Sequence, residues 1–177
     1  MDKYDLLMRK FRRLCRIQSR RILVGWIDGN NTARTAYENL QSGKKSTSPS
    51  LPPSNALIAR TLNYGRKEGT TASGRHYPEM IARPFMKYAE EGFNKIRRRI
   101  IGRNIHLVLS GKMTTEEFLK FIGKAYADEV TRAIRDSSKY PPVSEKTIKA
   151  RRRHGSTSAV PLIDTHQLVD SVSFEIR

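Results

Sequence analysis

The sequence predicts an α+β fold in which two long helices pack against a small sheet. Residues 85–109 and 115–135 repeat apolar side chains at intervals of three and four, the spacing of one helix face. Two shorter segments, 22–28 and 172–176, have the composition or the alternation typical of β-strands. A chain of 177 residues is an ordinary length for one domain, so residues 1–177 are assigned to a single domain.

The two long helices should form an antiparallel pair, because only residues 110–113 separate them. Thr114 followed by Glu117 is a capping-box pattern and places the start of the second helix. The side chains expected to face inward are Phe85, Tyr88, Ala89, Gly92, Phe93, Ile96, Ile100 and Val108 on the first helix, and Phe118, Phe121, Ile122, Ala125, Tyr126 and Ile134 on the second.

The two strands lie at opposite ends of the chain. Segment 22–28 is rich in β-branched and aromatic residues and stops at a Gly-Asn-Asn turn signal, 29–31. Segment 172–176 alternates apolar and polar residues, as a half-buried strand does. We expect them to pair in antiparallel fashion.

Residues 1–20 predict a basic amphipathic helix. Tyr4, Leu7 and Phe11 recur on one face, whereas most of the arginines lie off it. Such a helix can pack on the fold or on a neighbouring subunit, lie on a membrane, or enter a nucleic-acid groove. Packing against protein is the favoured interpretation, since apolar stripes usually meet other protein.

The remaining segments are short helices and loops. Ser54 or Asn55 can cap a helix that ends at Gly65, Ser144 can cap one through residue 153, and Thr165 can cap a last turn. Segments 42–55 and 66–76 are polar and rich in Ser, Pro or Gly, which predicts two flexible loops.

Charge is the strongest compositional signal. The chain has 34 Lys and Arg against 17 Asp and Glu, for a formal net charge of +17. Segments 1–21, 95–103 and 146–153 hold 18 of the 34 basic residues. The simplest interpretation is a basic surface exposed to solvent, but dense and weakly neutralised clusters favour contact with nucleic acid. No apolar run is long enough to span a membrane, and the charged first residues do not resemble a signal peptide, so production in a reducing cytoplasm is expected.

The sequence offers little that points to catalysis. Cys15 is the only cysteine, and the four histidines are not spaced as metal ligands. Asp164, His166 and Ser171 are too close in sequence to converge as a triad, so turn and capping roles are favoured for Asp164. No phosphate-binding loop or dinucleotide fingerprint is present. We therefore predict a protein that is not an enzyme and needs no cofactor or metal.

Three motifs resemble a known family. They are PEMIARPFM at 78–86, PVSEKTI at 142–148 and PLIDTHQLVDSV at 161–172. Their order and separation resemble those of the head–tail connector and tail-completion (neck) proteins of tailed bacteriophages, siphovirus-like and Mu-like. The resemblance covers residues 55–177, and its helical and C-terminal strand part is 78–177. The chain departs from the family at His166, where glycine is usual. It departs again at Asn63, where an acidic residue usually precedes Tyr-Gly or Phe-Gly.

The resemblance implies an α+β domain with a small, mostly antiparallel sheet on two helices. It implies a structural virion protein of the neck or upper tail, made in the bacterial host cytoplasm. Its partners would be copies of itself in a homo-oligomeric ring, a hexamer or dodecamer, together with neck, portal-side connector and tail proteins. Genomic DNA would pass through the ring and be contacted at its phosphates, without a membrane. The alternatives are a non-catalytic nucleic-acid-binding regulator or DNA-packaging accessory protein and, third, a small nuclease.

Two sets of residues are the predicted sites. The structural motif set is Arg83, Pro84, Phe85, Pro142, Ser144, Leu162, Asp164 and Thr165, with Pro84 at the first helical position and the Arg83 guanidinium in a local carbonyl or carboxylate contact. The DNA-facing candidates are Lys149, Arg151, Arg152 and Arg153, which are favoured, and Arg97, Arg98, Arg99 and Arg103. Because phosphate contact needs only charge, Arg→Lys changes at 151–153 are predicted to be nearly silent.

Overall fold

The computed structural model describes residues 3–27, 54–71, 74, 76–153, 155–164 and 166–177. The elements, in chain order, are α1 (Lys3–Gln18), β1 (Ile22–Gly25), α2 (Asn55–Tyr64), β2 (Gly69–Thr70), β3 (His76–Tyr77), α3 (Phe85–Ser110), α4 (Thr115–Arg135), a 3-10 turn (Ser137–Lys139), α5 (Glu145–Arg153), α6 (Gln167–Asp170) and β4 (Ser173–Ile176). The fold is α+β, as predicted, with the long helices α3 and α4 packed together.

The first and last strands close the fold. β1 and β4 pair antiparallel, with Ile22 opposite Ile176 and Gly25 opposite Ser173. This two-stranded sheet packs mainly on α4. Gly123 of α4 permits the close approach, because a Cβ there would lie 2.5 Å from the ring of Phe174. The predicted pairing of the chain ends is confirmed.

The core forms where α3, α4 and the C-terminal segment meet. Phe85, Val130 and Ile134 are fully buried, and the Trp26 ring meets Phe85 edge-on at a centroid distance of 5.6 Å. Trp26 also donates from Nε1 to the carbonyl of Leu168 at 2.9 Å, which ties β1 to α6. Phe121, predicted to be buried, is 47% exposed, because the sheet covers the neighbouring face of α4.

The connection between α3 and α4 is capped at both sides. Gly111 takes a left-handed φ of 83°, which suits glycine, and its N–H returns to the carbonyls of the last α3 turn. Thr114 and Glu117 form the predicted capping box at the start of α4. The Arg13 guanidinium of α1 donates to the carbonyls of Val108 and Leu109 at 3.1 and 2.8 Å. A cation at a helix C-terminus also suits the helix dipole.

Helix α1 forms as predicted, but its apolar stripe is not covered. Leu7 and Phe11 are 63% and 59% exposed, although α1 does contact α3 and α4 and its Arg13 binds the end of α3. Leu7 and Phe11 therefore do not pack on the body of this protein.

Two predicted loops have different outcomes. Within segment 66–76, predicted as a flexible loop, the described residues Gly69–Thr70 and His76–Tyr77 pair antiparallel as β2 and β3, and Arg66 bridges Met80 by two backbone hydrogen bonds. Strands of two residues are too short to give a periodic sequence signal. Of segment 42–55, only Ser54 and Asn55 are described. Ser54 caps α2 by accepting from the N–H of Leu57, as predicted.

Candidate nucleic-acid interface and motif groove

The basic cluster on α3 lies fully at the surface. Arg97, Arg98, Arg99 and Arg103, here called the α3 arginines, are all exposed. Within the described chain, none of them forms an ion pair with a carboxylate. Lys95, Arg99 and Arg103 follow one another at four-residue steps, so three cations stand along one ridge of the helix.

In the basic cluster on α5, three cations are exposed and the fourth is bonded to the backbone. Lys149, Arg152 and Arg153 are exposed. Arg151 is not free for phosphate, because its Nη1 atom donates to the carbonyls of Ser158, Val160 and Ile163 at 3.0, 2.9 and 3.0 Å. The DNA-facing assignment of Arg151 is therefore corrected: its planar guanidinium holds the chain between α5 and α6. These three contacts predict that Arg151→Lys is not silent, because a lysine ammonium cannot reproduce the guanidinium geometry.

The motif around Arg83 joins α2 to α3. Phe85 is fully buried core, as expected. Pro84 is the N-cap and lies just before α3, one position earlier than predicted, and it has no side-chain cap hydrogen bond. Asn63 supplies the missing acceptor: its Oδ1 accepts from the N–H of Met86 at 3.0 Å. The sequence alone leaves the role of Asn63 open, and its place before Tyr-Gly is the signal that could have found it.

Arg83 does not make the predicted local contact. Its Nε atom is buried and has no hydrogen-bond partner in the described part of the chain. Its backbone N–H donates to the carbonyl of Leu62 at 2.9 Å, which positions the residue beside α2. Burial lowers the pKa of the Arg83 guanidinium below its usual value, and the positive charge of Arg151 lowers it further.

The remaining motif residues have structural roles. Ser144 caps α5 by accepting from the N–H of Thr147 at 3.3 Å. Leu162 is buried and has a left-handed φ of 63°. Asp164 Oδ1 lies 3.6 Å from Arg151 Nε, which is an ion pair instead of the predicted turn or capping contact. Thr165 lies outside the described residues, and the residue that caps α6 is His166, with a left-handed φ of 61° and no side-chain cap bond.

The three resemblance motifs converge on one groove. It has a volume of about 660 Å³. Arg83 comes from the first motif, Pro142 and Ser144 from the second, and Leu162 and Asp164 from the third. Arg151 also lines it. Segments that are far apart in sequence therefore build a single concave surface.

The described residues offer little for other chemistry. They contain no group of three His, Cys, Asp or Glu side chains that could hold a metal ion. The Ser171 hydroxyl donates to the carbonyl of Gln167 at 2.6 Å, so it serves the end of α6 and not a triad with Asp164 and His166. Across the same residues, no helix is both long enough and apolar enough to cross a bilayer.

Comparison with known protein families, curated proteins and solved structures gives no match for this chain.

Proposed function

We propose that this protein is a non-catalytic structural subunit of a tailed-phage neck or upper tail, which assembles into a ring around the DNA channel. The α3 arginines contact the DNA backbone in the assembled ring, and the exposed Lys149, Arg152 and Arg153 add to the positive field. The single observation that carries the DNA contact is the exposed and unneutralised state of all four α3 arginines within the described chain.

The energetics of α3 support a polyanionic partner. Like charges four residues apart destabilise a helix by about 0.2–0.5 kcal/mol per pair. The spacing of Lys95, Arg99 and Arg103 therefore does not serve the stability of the isolated subunit. A phosphate backbone would neutralise these charges and release counterions, which is the main source of sequence-independent DNA affinity.

The resemblance to neck proteins is supported by three local observations. The motifs that carry it meet in one groove. The position where the family usually has glycine is His166, which takes a left-handed φ that glycine adopts without strain. The position of the usual acidic residue is Asn63, whose amide oxygen accepts the hydrogen bond at the start of α3 that a carboxylate would also accept.

Salt-dependent binding to a DNA duplex tests the proposed contact. Glutamine in place of the α3 arginines should make the slope of log affinity against log salt shallower, by up to about 0.9 for each phosphate that is no longer neutralised. The matched control replaces four other exposed cations by glutamine: Arg60, Lys87, Lys124 and Arg135. Equal slopes for the two variants would contradict the α3 assignment.

DNA binding also distinguishes the proposed neck subunit from the alternative, a nucleic-acid-binding regulator. A regulator that reads bases would bind one duplex sequence far more tightly than others and would lose that preference on Arg→Lys substitution. A neck subunit should bind all duplexes alike and should tolerate Arg→Lys at the α3 arginines. A mass measurement of the assembled protein, with a hexamer or dodecamer expected, tests the ring.

A further inference from the structure

The motif groove has an amphipathic wall. Its apolar lining comes from several elements and includes Ile58, Leu62, Met80, Val143, Leu162 and Leu168. Two guanidinium groups, from Arg83 and Arg151, stand in this apolar setting. A concave site with apolar walls and a few placed charges is typical of a ligand or peptide site.

The charges in the groove do not balance. Arg66, Arg83 and Arg151 face Glu79 and Asp164. The only ion pair among these five described residues is the 3.6 Å contact of Asp164 with Arg151, and the Asp164 side chain is 45% exposed. Arg66 instead lies over the Tyr77 ring, 4.5 Å from its centroid. The described groove therefore retains at least one cation without a carboxylate.

Arg83 is the cation that most needs a partner. Its Nε atom is buried and without an acceptor in the described chain, and leaving a buried donor unpaired is costly. Arg151 nearby already donates to three backbone carbonyls, so it contributes charge more than free hydrogen-bonding capacity. An incoming carboxylate would pair with the Arg83 guanidinium by charge and would relieve the repulsion between it and Arg151.

The backbone beside Arg151 is held in an unusual conformation. Leu162 and His166 are the only described residues other than glycine with a positive φ, and they flank Asp164 at the groove. Strained backbone persists where surrounding contacts fix it, and it occurs often at binding sites. Arg151 provides that fixation through the carbonyls of Val160 and Ile163.

We propose that this groove binds a peptide segment of a neighbouring protein, in which an Asp or Glu pairs with Arg83 and adjacent apolar residues fill the walls. An acidic peptide fits better than a nucleic acid, because the apolar lining offers nothing to a phosphate backbone and a duplex is too wide for a 660 Å³ groove. The inference goes beyond the proposed function and does not depend on DNA binding by α3.

Selection from a random peptide display library on the immobilised protein supplies the probe. We expect the enriched peptides to contain Asp or Glu beside apolar residues. Arg83→Gln should weaken binding of the enriched peptide about tenfold or more, whereas Arg83→Lys should recover part of the affinity. Arg98→Gln, an equal charge change on α3, should leave peptide affinity unchanged and affect only DNA binding.

The side-chain resonance of Arg83 Nε gives a readout in the unmodified protein. It should shift when the enriched peptide is added, even if an Arg83 variant does not fold. No enrichment of peptides, enrichment without acidic residues, or equal affinity of Arg83→Gln and wild type would overturn the proposal. Displacement of the peptide by a short DNA duplex would also overturn it, by making the groove a phosphate site. Weaker DNA binding by Arg98→Gln with peptide binding intact keeps the two proposals separate.

Discussion

Replacing Arg151 by methionine should destabilise the protein by about 2–4 kcal/mol. Nη1 of Arg151 lies 2.9–3.0 Å from three carbonyls, but it carries two hydrogens, so two full hydrogen bonds are the most it can donate. A hydrogen bond to a charged group contributes about 1.5–3 kcal/mol, and the lower end applies because Arg151 is not fully buried. Methionine keeps the apolar stem, and removal of the charge relieves repulsion with Arg83, so the upper end of the sum is not reached.

The matched control for this change is the next residue. Arg152 is exposed, belongs to the same helix and carries the same charge, so Arg152→Met should alter the free energy of unfolding by less than about 0.5 kcal/mol. Urea denaturation followed by circular dichroism measures both variants against wild type. Arg151→Lys should also be destabilising, because one ammonium cannot reproduce the geometry of the guanidinium. If Arg151→Met and Arg152→Met unfold alike, the structural role of Arg151 is wrong.

Three further changes, one of them with a control variant, test the fold by thermal or urea denaturation. Gly123→Ala should lower the free energy of unfolding by about 1–3 kcal/mol, because its Cβ would meet the ring of Phe174. The control Gly102→Ala, whose Cβ would have nothing within 4 Å, should raise it by about 0.5–1 kcal/mol. Equal effects of the two changes would contradict the close approach of β4 to α4. His166→Gly should raise the free energy of unfolding by about 0.5–1 kcal/mol. Glycine removes the strain of the left-handed φ, and its greater entropy in the unfolded chain offsets only part of that gain. A decrease in stability would contradict the left-handed conformation. Thr114→Ala should cost about 1 kcal/mol through removal of the capping box, and an unchanged midpoint would contradict the cap.

The sequence was sufficient where structure is local. Apolar spacing located α3 and α4, and the Thr114 and Glu117 pair located the start of α4, because capping groups are neighbours in sequence. The pairing of β1 with β4 could be predicted because each strand has a recognisable pattern and the sequence shows no other clear strand.

The parts that were not predicted depend on contacts between distant residues. Nothing in the run at 151–153 distinguishes Arg151 from its neighbours, since its role depends on where the carbonyls of 158–163 lie. The pairing of β2 with β3 rests on two-residue strands, which leave no periodic pattern. Phe121 fits the apolar period of α4 yet is exposed, because periodicity identifies a face and not what covers it.

The α3 arginines could be predicted from the sequence, whereas the motif groove could not. The α3 arginines were visible as a charge run, and the structure adds that they are exposed and unpaired within the described residues. The groove could not have been found from one segment, because its cations Arg83 and Arg151 come from distant segments that only the tertiary fold brings to one surface.

Electron cryo-microscopy of the protein assembled with a linear DNA duplex would show whether the α3 arginines line a DNA channel. We expect a closed ring with the duplex in its lumen and with the α3 arginines within about 10 Å of the DNA density, the range over which their charge acts at ordinary salt. A ring with α3 on its outer surface, or DNA bound without a ring, would refute the proposed DNA channel.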